Sequence, residues 1–182
     1  MCMAGWMVLF DEIEACECCG LCRGRTYIVP GEGNPHAELM FVGEGPGADE
    51  DMQGRPFVGA SGALLTAMIK AIGLQRTDVY IANIVKCRPP KNRTPTEEEA
   101  QACLPFLRRQ IEMVSPRLIV ALGATASKYM IGPEVRIKRD HGQWREVDGI
   151  WVMPTFHPSA LLRDASLKRD AWADFQSLQQ RL

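Results

Sequence analysis

Three short apolar runs constrain the fold of this chain more than any other feature. They cover residues 39–42, 79–85 and 118–122. Each lacks the in–out alternation of a sheet with one wet face, which suits strands buried on both faces of a parallel sheet. A fourth run, residues 150–156, reads as a further strand and ends immediately before His157. Helical patterns separate the runs. Leu64, Leu65, Met68, Ile69 and Ile72 share one face, with Gly73 as a stop. Thr96 and Glu99 have capping-box spacing, and Ala100, Cys103, Leu104, Leu107 and Ile111 follow on one face. Pro105 lies inside that pattern and predicts a kink or break. Residues 124–130 and 171–182 read as two more helices.

Strands alternating with helices imply a doubly wound α/β fold. The expectation is a three-layer α/β/α sandwich around a four-stranded, mostly parallel sheet, as one domain over residues 1–182. There is no internal repeat and no low-complexity linker. The long connections, 43–62 and 88–95, are rich in Gly and Pro, and long loops in compact domains tend to carry function. Ligands of open parallel sheets bind beyond the carboxyl ends of the strands. Gly43, Glu44 and Gly45, then Asn83, then Gly123, then His157 all arrive at that edge from separate parts of the chain.

Charge narrows the class of partner. The formal net charge is -1, which disfavours a protein that coats long stretches of phosphate and leaves room only for a local patch. No apolar run has the length of a membrane span. The first ten residues lack the basic start of a secretory signal, so a cytoplasmic, monomeric protein is expected. Seven cysteines are clustered unevenly: Cys2, Cys16, Cys18, Cys19 and Cys22, then Cys87 and Cys103. An odd count, crowded at one end of a non-secreted chain, argues for metal or cluster ligation rather than disulfides. Cys16/Cys19 and Cys19/Cys22 are competing C-x-x-C pairs, and spacing alone does not choose between zinc and an iron–sulfur cluster.

Individually, each remaining motif has a plain structural explanation. Residues 43–59, beginning Gly43-Glu44-Gly45-Pro46-Gly47, match neither a dinucleotide fingerprint nor a phosphate-binding P-loop and could be a solvated turn. Phe57 could be core, and Asn83 could satisfy turn backbone. His157 before Pro158 could be structural. Leu161 and Leu162 followed by Arg163 could open a core-facing helix, or form an apolar wedge beside a cation. An amide at a strand end, however, can tell a keto edge from an amino edge on a pyrimidine. Lys86, Arg88, Lys91 and Arg93 make one locally basic stretch.

Taken jointly, in order and spacing, these stretches resemble the type 4 uracil-DNA glycosylases over nearly the whole chain, from Cys16 through Gly24-Arg25-Thr26, residues 31–35, 43–59, 83–90 and Cys103 to residues 157–163. The resemblance implies excision of uracil from single- or double-stranded DNA and a [4Fe–4S] cluster. It implies Cys16, Cys19, Cys87 and Cys103 as cluster ligands, with Cys2 and Cys18 dispensable. It implies Phe57 as the ring stacking on a flipped uracil, Asn83 as the reader of O4 and N3, and His157 as the donor to O2. Gly43, Glu44 and Gly45 would wall the pocket, Glu50 would crowd out a C5 methyl, and Glu44 stands where a water-activating Asp stands in other uracil glycosylases. Lys86, Arg88, Leu161, Leu162 and Arg163 are the expected DNA contacts. Two rival readings are a covalent or non-catalytic uracil-DNA binder and a zinc-stabilised interaction protein. The covalent relatives carry a His-containing insertion after the second motif, whereas residues 88–95 here contain no His.

Overall fold

The computed structural model describes residues 3–182, so the expectation for Cys2 lies outside the described residues. The chain begins with α1 (Met3–Glu14) and passes through a tight turn at Gly20–Arg23 to a short strand, β1 (Glu32–Gly33). It continues through β2 (Leu39–Gly43), α2 (Ala48–Gln53), α3 (Ala60–Ala71), β3 (Tyr80–Asn83) and α4 (Glu97–Val114). Then come β4 (Leu118–Leu122), α5 (Gly123–Met130), α6 (Ile137–Asp140), β5 (Arg145–Val147), β6 (Ile150–Thr155), α7 (Pro158–Arg163) and α8 (Lys168–Gln179).

The strands form one six-stranded sheet in the order β1-β3-β2-β4-β6-β5. The inner four, β3, β2, β4 and β6, are parallel, and the two edge strands pair antiparallel. The expected four strands are therefore the sheet's centre, and the expected strand count is corrected to six. The edges escape a hydrophobic reading because β1 and β5 are two and three residues long, with Glu32, Arg145 and Glu146 among them.

Alternation along the buried strands builds the three layers. Met40, Val42, Tyr80, Ala82, Ile119 and Ala121 face one way and meet Ala100, Leu104 and Leu107 of α4 and Ala126 of α5. Leu39, Phe41, Ile81, Leu118 and Val120 face the other way and meet Leu65 and Ile69 of α3 and Phe175 and Leu178 of α8. Burying one such side chain is worth about 1.5–3 kcal/mol, so the central strands and not the polar edges hold the sheet together.

Helix α4 starts as its sequence predicts. The Glu99 amide donates to Thr96 Oγ1 at 3.3 Å, and the Thr96 amide donates to Glu99 Oε2 at 2.8 Å. The break expected at Pro105 does not occur, and α4 runs through it as one helix. Pro105 and Gln101 both lie on the exposed face, where water can satisfy the carbonyl that loses its amide partner, while the buried face keeps the helix docked.

Candidate active site and thiol-lined hollow

The carboxyl ends of β2, β3, β4 and β6 open into a cleft of about 640 Å³. Glu44, Phe57, Asn83, Gly123, His157 and Arg163 are among its lining residues. The sheet edge thus brings together residues as far apart in sequence as Glu44 and Arg163, as expected for a ligand crevice in an open α/β sheet.

Asn83 closes strand β3 and is 2% exposed. Its Oδ1 is buried with no hydrogen-bond partner. Buried amides left unpaired cost free energy, so such an atom at the floor of a cleft points to a missing ligand donor. Gly43 makes this arrangement possible. A Cβ there would lie 2.5 Å from Asn83 Oδ1 and 2.6 Å from the Phe57 ring. Gly43 therefore stands behind the pocket wall, and Glu44 and Gly45 form the wall itself.

Phe57 and His157 face each other, with ring centroids 5.5 Å apart and planes tilted by 33°. His157 is the N-cap of α7, fixed by Pro158 at the first helical position. The Ser159 amide donates to His157 Nδ1 at 3.1 Å, and Ser159 Oγ lies 2.8 Å from the same nitrogen. Because Nδ1 accepts, a neutral ring must carry its proton on Nε2. Burial, assisted by the Arg163 cation, pushes the imidazole pKa down to about 4, so the neutral form prevails near pH 7.

Glu44 is half-buried, and its Oε2 accepts from Thr125 Oγ1 at the start of α5 and from Thr94 Oγ1. Glu50 is engaged differently. Its Oε1 accepts from the amides of Val58 and Gly59 at 2.9 and 3.0 Å, and its Oε2 accepts from Gly47 at 3.0 Å. The carboxylate expected to crowd a methyl group thus spends its oxygens on the backbone of the loop that carries Phe57.

Two expected DNA contacts are corrected. Lys86 is 1% exposed, and its ammonium donates to the Asn83 carbonyl at 2.9 Å and to Gln110 Oε1 at 2.6 Å. It cannot reach a phosphate from there, and burial pushes its pKa down to about 8. Leu161 is buried against Phe156 and Ala171, while Leu162 is 48% exposed beside Arg163. The pair lies on the short helix α7 and not in a loop, so one leucine faces the core and only the other can meet a partner. Within the basic stretch Arg93 is exposed but paired with Glu99 at 2.7 Å, so Arg88 and Lys91 are its cations without an acidic partner among the described residues.

Ser159, Thr125 and Arg76 stand out less in the sequence than the residues they contact. Ser159, two residues after a strand-end His, is the kind of hydroxyl that caps locally and could have been inferred. Thr125 and Arg76 are isolated in sequence and become visible only through contacts.

A second concavity is lined by thiols. Cys16, Cys18, Cys19, Cys22, Cys87 and Cys103 surround it, with Ile13, Leu21, Ile28 and Phe106. All six cysteines are free. Burial raises the pKa of Cys16 and Cys87, and that of Cys103 to about 11. Donors are nonetheless aimed at the sulfurs: Arg25 Nη1 lies 3.3 Å from Cys87 Sγ, and the Lys86 amide lies 3.3 Å from Cys103 Sγ. Arg25 also donates to the carbonyls of Cys16 and Glu14, both at 2.9 Å, tying the N-terminal segment to the β3–α4 loop. Sulfur atoms that accept such bonds are suited to thiolate ligation.

Comparison with known proteins gives the family. The model of the uracil DNA glycosylase superfamily matches residues 30–176. A type-4 uracil-DNA glycosylase of Thermotoga maritima is 50% identical over 87% of this chain and 84% of its own length. One of Sulfurisphaera tokodaii is 47% identical over 93% of this chain and 81% of its own. A type-5 uracil-DNA glycosylase of Pyrobaculum aerophilum is more distant, 36% identical over 73% of this chain.

Proposed function

This chain belongs to the uracil DNA glycosylase superfamily, alongside its type-4 members, and we propose that it removes uracil from DNA through the cleft at the carboxyl end of its sheet. The reaction is hydrolysis of the N-glycosidic bond, which leaves an abasic site for repair. One observation carries the assignment of the cleft: Asn83 Oδ1 is buried and unpartnered at its floor.

Uracil supplies the missing donor at N3–H. Cytosine has no proton on N3 and presents an amine in place of O4, so it leaves the Asn83 amide unsatisfied, and sites built on such a bond reject the mismatched analogue strongly. The base must first leave the helix, at a cost of a few kcal/mol. Leu162 fills the space it vacates, and Arg163 holds a neighbouring phosphate, with Arg88 as a further backbone contact. In the pocket Phe57 stacks on the pyrimidine, worth about 1–3 kcal/mol.

Cleavage sends the bonding electron pair to the base, giving a uracil anion with charge on O2 and O4 and an oxocarbenium-like sugar. His157 donates from Nε2–H to O2. That bond strengthens as the oxygen becomes anionic, so it favours the transition state over the ground state. Water then adds to the sugar. Glu44 orients it and takes its proton, with Oε2 held by Thr125 and Thr94 and Oε1 left for the water.

The donor set fits an iron–sulfur cluster. Six thiols line one hollow, and the Arg25 guanidinium and the Lys86 amide are aimed at the Cys87 and Cys103 sulfurs, as suits thiolates that hold such a group. Cys16, Cys19, Cys87 and Cys103 would be its ligands. When bound, a [4Fe–4S] cluster supplies a covalent tie between the N-terminal segment, the β3–α4 loop and α4.

The test is a denaturing gel of a uracil-containing oligonucleotide incubated with the protein. Full-length DNA that breaks only after alkali supports hydrolysis to an abasic site. A slow-migrating protein–DNA adduct would instead establish the covalent binder.

A further inference from the structure

We propose that Arg76, backed by Glu32, is a positioning residue for base recognition: it locks the backbone of Phe57 so that the ring stands in the cleft. The proposal rests on the stacking role of Phe57 given above.

Phe57 has φ +51°, a left-handed conformation that few non-glycine residues adopt and that persists only when its surroundings over-determine it. The peptide that follows it is held on both sides. Its carbonyl accepts from Arg76 Nη1 at 3.0 Å, and its N–H, on Val58, donates to Glu50 Oε1 at 2.9 Å. The preceding carbonyl, on Pro56, accepts from Arg76 Nη2. One guanidinium therefore bridges the two carbonyls that flank the strained residue. Helix α3 closes the remaining side, since a Cβ on Gly62 would lie 1.9 Å from the Phe57 carbonyl oxygen.

The guanidinium is itself fixed. Arg76 Nε donates to Glu32 Oε1 at 2.8 Å, and Arg55 Nε donates to Glu32 Oε2 at 2.7 Å. Glu32 lies on β1 opposite Ile81 of β3, two residues before Asn83. The strand that presents the base-reading amide is thus paired with the strand that anchors the arginine setting the ring. A planar fork with several donors suits this task; the single ammonium of a lysine does not.

The experiment is a double-mutant cycle of Arg76→Ala and Phe57→Ala, with Arg76→Lys and Glu32→Gln as gentler variants. Single-turnover rate and half-saturation on a uracil oligonucleotide are read together with affinity for the abasic oligonucleotide, which has no base to stack. Arg76→Ala is expected to lower the ratio of rate to half-saturation on the order of 10- to 100-fold, as small misplacements near reacting groups do. Abasic affinity should stay within about twofold, and Arg76→Ala should add nothing once Phe57 is removed, because coupled residues are not additive. Arg76→Lys and Glu32→Gln should fall between wild type and Arg76→Ala. Additive losses, or equal weakening of uracil and abasic binding, overturn the proposal. Full activity in Phe57→Ala sinks the stacking role and this proposal with it. Strong loss in Phe57→Ala with wild-type kinetics in Arg76→Ala sinks the clamp alone. If Arg76→Ala does not fold, unchanged kinetics in both Arg76→Lys and Glu32→Gln overturn it.

Discussion

Ser159 decides which nitrogen of His157 carries the proton, and that choice fixes what the imidazole can do. A neutral ring protonated on Nε2 is a donor without a charge to desolvate. Loss of one such donor typically costs about 100- to 1000-fold in rate, so His157→Ala should lower single-turnover excision by that much with little change in duplex affinity. A structural histidine would instead drag down melting temperature and DNA binding together. The pH dependence has a definite sign. The folded pKa of about 4 lies below the ordinary histidine value of 6.5. Between the two the unfolded chain binds more protons, so stability declines as pH falls through that window, and the excision rate should lose its neutral donor only on approach to pH 4. A His157-dependent limb near pH 6.5 would contradict this. Asn83→Asp should cut uracil excision on the order of 100-fold or more, because a donor to O4 becomes an acceptor; unchanged excision in Asn83→Ala removes it from the pocket. At this scale the sequence was legible where residues sat at strand ends, as Asn83 and His157 do. It was not legible for Lys86 or Leu161, since a cation's or leucine's direction depends on which side of a strand end or short helix it leaves from.

Among the elements, α4 has two duties: its apolar face packs on the sheet, and Cys103 on that face reaches the thiol-lined hollow. Cys103→Ala is therefore expected to lose bound iron and to become less soluble, whereas Cys18→Ala, at an exposed thiol, should keep both. Iron content and visible absorbance of the purified variants check this, and full iron in Cys103→Ala would refute the ligand set. Apolar runs without alternation marked the four central strands, helical spacing marked α3, α4, α5 and α8, and the Thr96–Glu99 spacing marked the capped start of α4. Not legible were α1, the short helices α2 and α6, and the edge strands, which are too short and polar to show any period. Of the kink or break expected at Pro105 the break is absent, because the orphaned carbonyl faces water on the exposed side of α4.

The whole molecule is nearly neutral, so its hold on DNA must come from a few cations around one cleft. With about two to four phosphate contacts, log affinity should fall with log salt at a slope of roughly -2 to -4. Arg163→Ala should weaken binding evenly across sequences and reduce that slope by about 1; an unaltered slope would take Arg163 off the backbone. No helix among the described residues is long and apolar enough to cross a membrane. The central claim, hydrolysis of uracil from DNA with selection at the base edge, is tested most directly by a panel of otherwise identical oligonucleotides carrying U, T or C at one position, incubated with the purified protein and cleaved with alkali. The account predicts strand cleavage at U after alkali and none at T or C. Intact U-containing strands, or cleavage at C equal to that at U, would contradict it.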